Sequence, residues 1–175
     1  MLKLVPITKD NFKDIPEPCR RCTYWQTTGE FSAKDMTEKM EKKRLDWFLK
    51  MEKEHGYSAG FIAYHNSTPV GFVQCASAKY FQNTKEYRAG PPNENVAFLA
   101  CLYISQEENR KKGLGTLILK EGISQLKQMG FGAVVTFARK SSQENPSGPL
   151  EFYLKNEFKI KRDDSDFPLV RLELK

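Results

Sequence analysis

Leu2-Lys3-Leu4-Val5-Pro6-Ile7 opens the chain with alternating apolar and polar residues, the two-residue period of a half-buried strand. Pro6 places that strand at an edge or near its own end. Asn11 to Ile15 reads as a short helical turn stopped by Pro16 and Pro18. Ser32-Ala33-Lys34-Asp35 has the form of a capping box and predicts a long helix from there to about Glu54. Met36, Met40, Leu45, Trp47, Phe48, Leu49 and Met51 would be its wide apolar stripe, and His55-Gly56 its end. Residues 59–64 and 70–75 read as two strands of a hairpin, closed by the turn residues Asn66-Ser67-Thr68-Pro69. A long loop follows over residues 79–95, around Gly90-Pro91-Pro92.

The second half alternates more regularly. Val96 to Ile104 is an apolar run of strand character, and Leu114 to Met129 carries Leu114, Leu117, Ile118, Ile123 and Leu126 at near-helical spacing. After Gly130, Phe131 to Phe137 is β-branched and aromatic, as a buried strand requires. A short apolar helix lies around Tyr153, and residues 158–161 and 169–174 alternate about the turn Arg162–Pro168 as a last hairpin. Strands interleaved with helices predict an α/β (α+β) domain.

Composition narrows the class. With 175 residues, 39% hydrophobic and 12% aromatic, the chain reads as a single globular domain spanning 1–175, not a disordered one. No apolar run approaches the ~20 residues of a membrane span. The amino terminus has lysines but no apolar core of a signal peptide, so the expected compartment is the cytoplasm. A net charge of +6 is compatible with nucleic acid, yet basic residues are scattered among 22 acidic ones and form no stripe, so nucleic acid is not the expected partner.

The chemistry concentrates between strand and helix, in Arg110-Lys111-Lys112-Gly113-Leu114-Gly115-Thr116. Unpaired N–H groups at a helix start, the helix dipole and three cations favour an anion, and glycine lets a phosphate approach the backbone. The stretch reads as a pyrophosphate cradle, the plain alternative being a basic turn with a glycine-rich helix start. The nucleoside-triphosphate loop needs four residues between its glycines and a following lysine; here one residue separates Gly113 from Gly115. The dinucleotide fingerprint needs a third small residue where Ile118 stands.

Arg110, Gly113 and Gly115 resemble the Arg-x-x-Gly-x-Gly acetyl-CoA motif of the GNAT superfamily of N-acetyltransferases. Downstream, Pro149-Leu150-Glu151-Phe152-Tyr153-Leu154-Lys155-Asn156-Glu157-Phe158 resembles the superfamily's second motif, with Glu157 in place of the usual glycine. The order of elements matches the family over roughly residues 58–175, and Arg110 follows Ile104 one residue later than is common there. The resemblance implies a mixed, mostly antiparallel central sheet flanked by helices, acetyl-CoA as co-substrate and transfer to an amine of a small molecule or protein. It also implies backbone donors at Leu102, Tyr103 and Ile104, cofactor contacts from residues 110–116 and Asn145, and Tyr153 as the acid that protonates the leaving thiolate. Asn145 has the alternative role of a loop cap beside Pro146, and Tyr153 that of a core aromatic.

Other candidates carry less. Glu94, just before the apolar strand, is a candidate base for the amine proton or a solvated loop carboxylate. His55 and His65 fall at a helix end and a turn and read as surface residues. The turn Asp163-Asp164-Ser165-Asp166 suits either a cationic acceptor or solvent. Cys19 and Cys22 form Cys-x-x-Cys, but Cys75 and Cys101 lie in strands and complete no zinc set, so no metal is expected and reduced thiols are the default. By resemblance, Tyr24 and Trp25 would help wall an acceptor pocket. Three functions stay open: an acetyl-CoA-dependent N-acetyltransferase, a catalytically silent acyl-CoA-binding sensor, and a basic interaction protein without cofactor. A homodimer is also open.

Overall fold

The computed structural model describes residues 1–29, 31–105, 110, 112–140 and 148–174. Seven strands among them form one sheet: β1 (Leu2–Pro6), β2 (Gly60–His65), β3 (Thr68–Ser77), β4 (Ala97–Ile104), β5 (Ala133–Phe137), β6 (Lys159–Arg162) and β7 (Leu169–Glu173). The order is β1-β2-β3-β4-β5-β7-β6, antiparallel throughout except between β4 and β5. Helix α1 (Glu38–His55) covers one face; α2 (Leu114–Gln128) and α3 (Leu150–Lys155) cover the other. The mixed, mostly antiparallel sheet and the order of elements are those expected from the sequence.

Each face has its own core. On the α1 side an aromatic cluster joins Phe12, Trp25, Phe48, Phe72, Phe81, Phe98 and Phe137. On the other, Ile118, Leu119 and Leu126 of α2 pack with Val73, Leu99, Val134 and Tyr153. Gly122 faces Val73 in this packing, where a Cβ would make an ordinary contact with its methyls at 3.9 Å. The hairpin β2–β3 turns through Asn66 and Ser67, both with positive φ, while Thr68 and Pro69 already belong to β3.

Two details differ from the sequence reading. The Ser32–Asp35 box is formed, with the Asp35 carboxylate accepting the Ser32 N–H at 2.7 Å, but it closes only a 3-10 turn over Ala33–Asp35. Thr37 then runs extended and α1 starts at Glu38. In α2 the buried line is Ile118, Leu119, Gly122 and Leu126. Leu117 lies about 100° round the helix from Ile118 and is 54% exposed, outside the core the periodicity assigned it to.

Candidate active site

The site begins where β4 and β5 part. Parallel pairing holds only at Ala97↔Val134 and Phe98↔Val135, after which β4 continues along β3 and β5 along β7. The Thr136 hydroxyl spans the first widened step, donating to the Leu99 carbonyl at 2.8 Å. Just beyond, β4 carries a bulge: Gln74 faces Cys101 but Cys75 faces Leu99, so Ala100 is the extra residue. Ala100 and Cys101 both enter the α1-side core, and the alternation resumes one step out of phase, which turns Leu102 and Ile104 to the α2 side.

Past the bulge the backbone directions follow from one bond. Ser105 N–H donates to Val70 on β3, so by strand alternation Tyr103 N–H also faces β3. The N–H groups of Leu102 and Ile104 therefore face the gap that β5 has left. Of the three expected backbone donors, these two are placed to serve it.

Helix α2 starts at the rim of the same gap. Gly113, in the left-handed region at φ +83°, is its N-cap, and no side chain caps the first turn. The first intrahelical bond runs from Leu117 N–H to the Gly113 carbonyl, leaving the N–H groups of Leu114, Gly115 and Thr116 for an outside acceptor. No acidic residue stands in that turn. A Cβ on Gly115 would stand 3.5 Å from Ile104 Cδ1 and from the Phe152 ring, so glycine keeps the passage between β4 and α3 wide. Arg110 folds back over the strand end, its guanidinium bonding the Ile104 carbonyl at 3.3 Å and lying 5.5 Å from the Tyr103 ring centre. Lys112 is exposed. Lys111 and Asn145 lie outside the described residues.

Helix α3 closes the other wall. A bridge between Arg139 and Pro149 pins its start to the end of β5. Tyr153 points inward, 1% exposed, its ring edge-on to Phe152 and Phe158 at 5.2 Å each. Burial holds its phenol well above the ordinary tyrosine range. Tyr153 lines the same cleft as Leu102 and Ile104 of β4. A Cβ on Gly148 would come within 3.6 Å of the Tyr153 hydroxyl oxygen. The resulting cleft of about 310 Å³ is lined by Leu102, Ile104, Gly113, Gly115, Thr116, Gly148, Pro149, Phe152 and Tyr153. Gly148, Pro149 and Phe152 were absent from the expected site, although Phe152 adjoins Tyr153 in the second motif.

Other candidates stand elsewhere. Glu94 is exposed in the turn before β4, roughly 25 Å of strand from the α2 end, and is not brought to the cleft. The acidic turn is already occupied from within: Arg88 pairs with Asp164 at 2.9 Å and Asp166 at 3.2 Å, and Lys140 with Asp163 at 2.6 Å. Tyr24 bonds the Tyr87 hydroxyl at 2.9 Å, and Trp25 is buried between Tyr87 and Phe98. His55 contacts the Tyr80 hydroxyl, and His65 is exposed at the end of β2. All four cysteines are free, and no group of three or more His, Cys, Asp or Glu among the described residues could hold a metal ion.

Comparison with known proteins agrees with this geometry. The sequence matches the acetyltransferase (GNAT) family over residues 17–158. No curated protein matches it significantly. Among solved structures, PaiA N-acetyltransferase from Thermoplasma acidophilum in complex with coenzyme A superposes with a TM-score of 0.65 at 18% identity, covering 99% of each chain. An N-acetyltransferase from Staphylococcus aureus Mu50 gives 0.64 at 18%, covering 100% of this chain and 99% of that one. The yncA protein of Salmonella typhimurium, with its cofactor acetyl-CoA, gives 0.64 at 16%, covering 100% and 95%. With a family match over residues 17–158 and a strand fork capped by an open helix N-terminus, the chain belongs to the GNAT family of acetyltransferases.

Proposed function

We propose that this chain, acting as a single domain over residues 1–175, transfers the acetyl group of acetyl-CoA to an amine. One observation carries the reading. Three features meet in one cleft: unpaired N–H groups of α2, outward N–H groups of Leu102 and Ile104, and the buried Tyr153 hydroxyl. The first suits a pyrophosphate, aided by Arg110, Lys111 and Lys112 on the same loop. The second suits the carbonyl oxygen of a thioester lying along β4 in place of the missing strand. Asn145 and Leu114 complete the proposed contacts by family position.

The chain's own groups then divide the chemistry. As the amine nitrogen bonds the acetyl carbon, the Leu102 and Ile104 N–H groups donate to the oxygen that gains negative charge. When the carbon–sulfur bond breaks, Tyr153 gives its proton to the departing sulfur and recovers one from solvent. Its raised pKa keeps that proton in place at neutral pH. Among the described residues the cleft is lined by no carboxylate or histidine, and in this reading the proton of the acceptor amine passes to water. No helix of the described residues is long and apolar enough to cross a membrane, and we place the reaction in the cytoplasm. Release of free thiol from acetyl-CoA, followed across classes of amine, tests the proposal. Binding of acetyl-CoA without acceptor-dependent thiol release would leave a sensor in its place.

A further inference from the structure

Arg44 is a charged residue in a position where the sequence promises an apolar one. It lies on α1 between Met40 and Phe48, in the middle of the stripe, and is 2% exposed. Its guanidinium stands over the rings of Phe48 and Phe72, 5.3 and 5.6 Å from their centres. Two terminal nitrogens donate to Gln26 Oε1 at 3.3 Å and Gln74 Oε1 at 3.1 Å. It makes no ion pair with any described residue, and the ionisable groups whose charge reaches it are the thiols of Cys101, Cys22 and Cys19. A buried cation without an anion is strongly unfavourable.

The surrounding polar atoms share the same deficit. A guanidinium only donates, so both glutamine side chains must turn their oxygens to it. Their NH₂ groups are then left over: Gln26 Nε2 and Gln74 Nε2 are buried without an acceptor, as is Arg44 Nε. The Trp25 indole N–H, beside Cys101, reaches no oxygen either. One positive charge and four unanswered donors define the demand of an acceptor-only, negatively charged group. The location is informative. Gln74 is the register partner of Cys101, one residue before Leu102, and lies at the bulge on the face opposite α2. Gln26, Cys22 and Tyr24 above it are only half-buried, so a thin layer of side chains separates Arg44 from solvent.

We propose that Arg44, Gln26 and Gln74 bind the carboxylate of the acceptor, and that the acceptor is a small amino acid-like molecule bearing an amine and a carboxylate. This rests on the acetyltransferase reading for its turnover but not for its binding. Gln74 lies about 5 Å across the strand pair from β4, whose other edge borders the gap, so the carboxylate site flanks the fork.

Two measurements test it together, on the wild type, Arg44→Met and Gln74→Glu. Free α-amino acids and their α-carboxamides are compared as acceptors by thiol release, and melting temperature is followed in sodium acetate against sodium chloride of equal ionic strength. In the wild type the free acid should be preferred by about 10–100-fold, the range of a charge-assisted pair of hydrogen bonds, and acetate should raise the melting temperature. Gln74→Glu supplies an in-chain carboxylate to Arg44, so it should fold and lose both effects even if Arg44→Met does not fold. Equal turnover of acid and amide, or an acetate effect that persists in Gln74→Glu, overturns the proposal. A protein that fails to bind acetyl-CoA would refute the acetyltransferase reading alone, and the acetate arm would still decide the Arg44 site.

Discussion

Replacing Tyr153 by phenylalanine removes one oxygen and leaves the ring between Phe152 and Phe158. The packing is retained, so the stability cost is at most that of one polar group, about 1 kcal/mol. For a chain of 175 residues that lowers the melting temperature by no more than about 2–4 °C. The catalytic cost is larger. A positioned acid contributes roughly 10²–10⁴-fold, or about 3–5 kcal/mol of barrier. Turnover should fall by that factor at saturating acetyl-CoA, while acetyl-CoA affinity measured by calorimetry stays unchanged. Because burial raises the phenol's pKa in the folded state, its stabilising contribution is full below the free-tyrosine value near 10 and fades only as pH climbs beyond it. The assay can therefore run from pH 7 to 9 without the wild-type hydroxyl ionising. Full turnover in Tyr153→Phe, at equal affinity, would refute the acid assignment.

Two further substitutions probe the fold around the site. Glu157 holds φ at +68° where the turn after α3 asks for glycine, so Glu157→Gly should relieve about 1 kcal/mol of backbone strain against a smaller entropic loss, raising the melting temperature by a degree or two; a lower melting temperature would show that the exposed side chain contributes more than its conformation costs. Burial pushes the Cys75 thiol from 9.0 up to about 12, so its stabilising contribution is complete below pH 9 and is lost as pH rises toward 12, at up to ~1.4 kcal/mol per pH unit. Chemical denaturation of Cys75→Ala should therefore show a shallower alkaline decline than the wild type between pH 8.5 and about 10.5, and parallel curves would contradict the burial argument.

The elements themselves were legible because their signals are local. Alternation in β1, the apolar run of β4, the Gly56 cap of α1 and the Gly113 cap of α2 each follow from a few neighbouring residues. Gly113, Gly115, Thr116 and Tyr153 could be placed in one site because two short motifs bracket it, and the cleft does bring them together. What escaped the sequence depends on partners far along the chain. The Ser32 box satisfies itself within one turn, so its presence could not fix where α1 begins. The bulge at Ala100 leaves no mark in composition, yet it decides which of Leu102, Tyr103 and Ile104 present their N–H groups to the gap. Glu94 adjoins the strand in sequence but stands at its far end. Arg44 was readable as a charge inside an apolar stripe, but its glutamine partners come from 18 residues before and 30 after it.

The central claim is that the gap between β4 and α3, under the α2 N-terminus, receives the thioester arm of acetyl-CoA. Titration calorimetry of acetyl-CoA into wild type and Gly115→Val tests it most directly. Valine adds no positive-φ strain at Gly115, and its methyls would project between Ile104 and Phe152, already 3.5 Å from a Cβ. The account predicts that the wild type binds acetyl-CoA and that Gly115→Val, with an unchanged circular dichroism spectrum, binds at least about 100-fold more weakly, a loss of about 2.7 kcal/mol. Equal affinity in the two proteins would place the cofactor elsewhere and contradict the account.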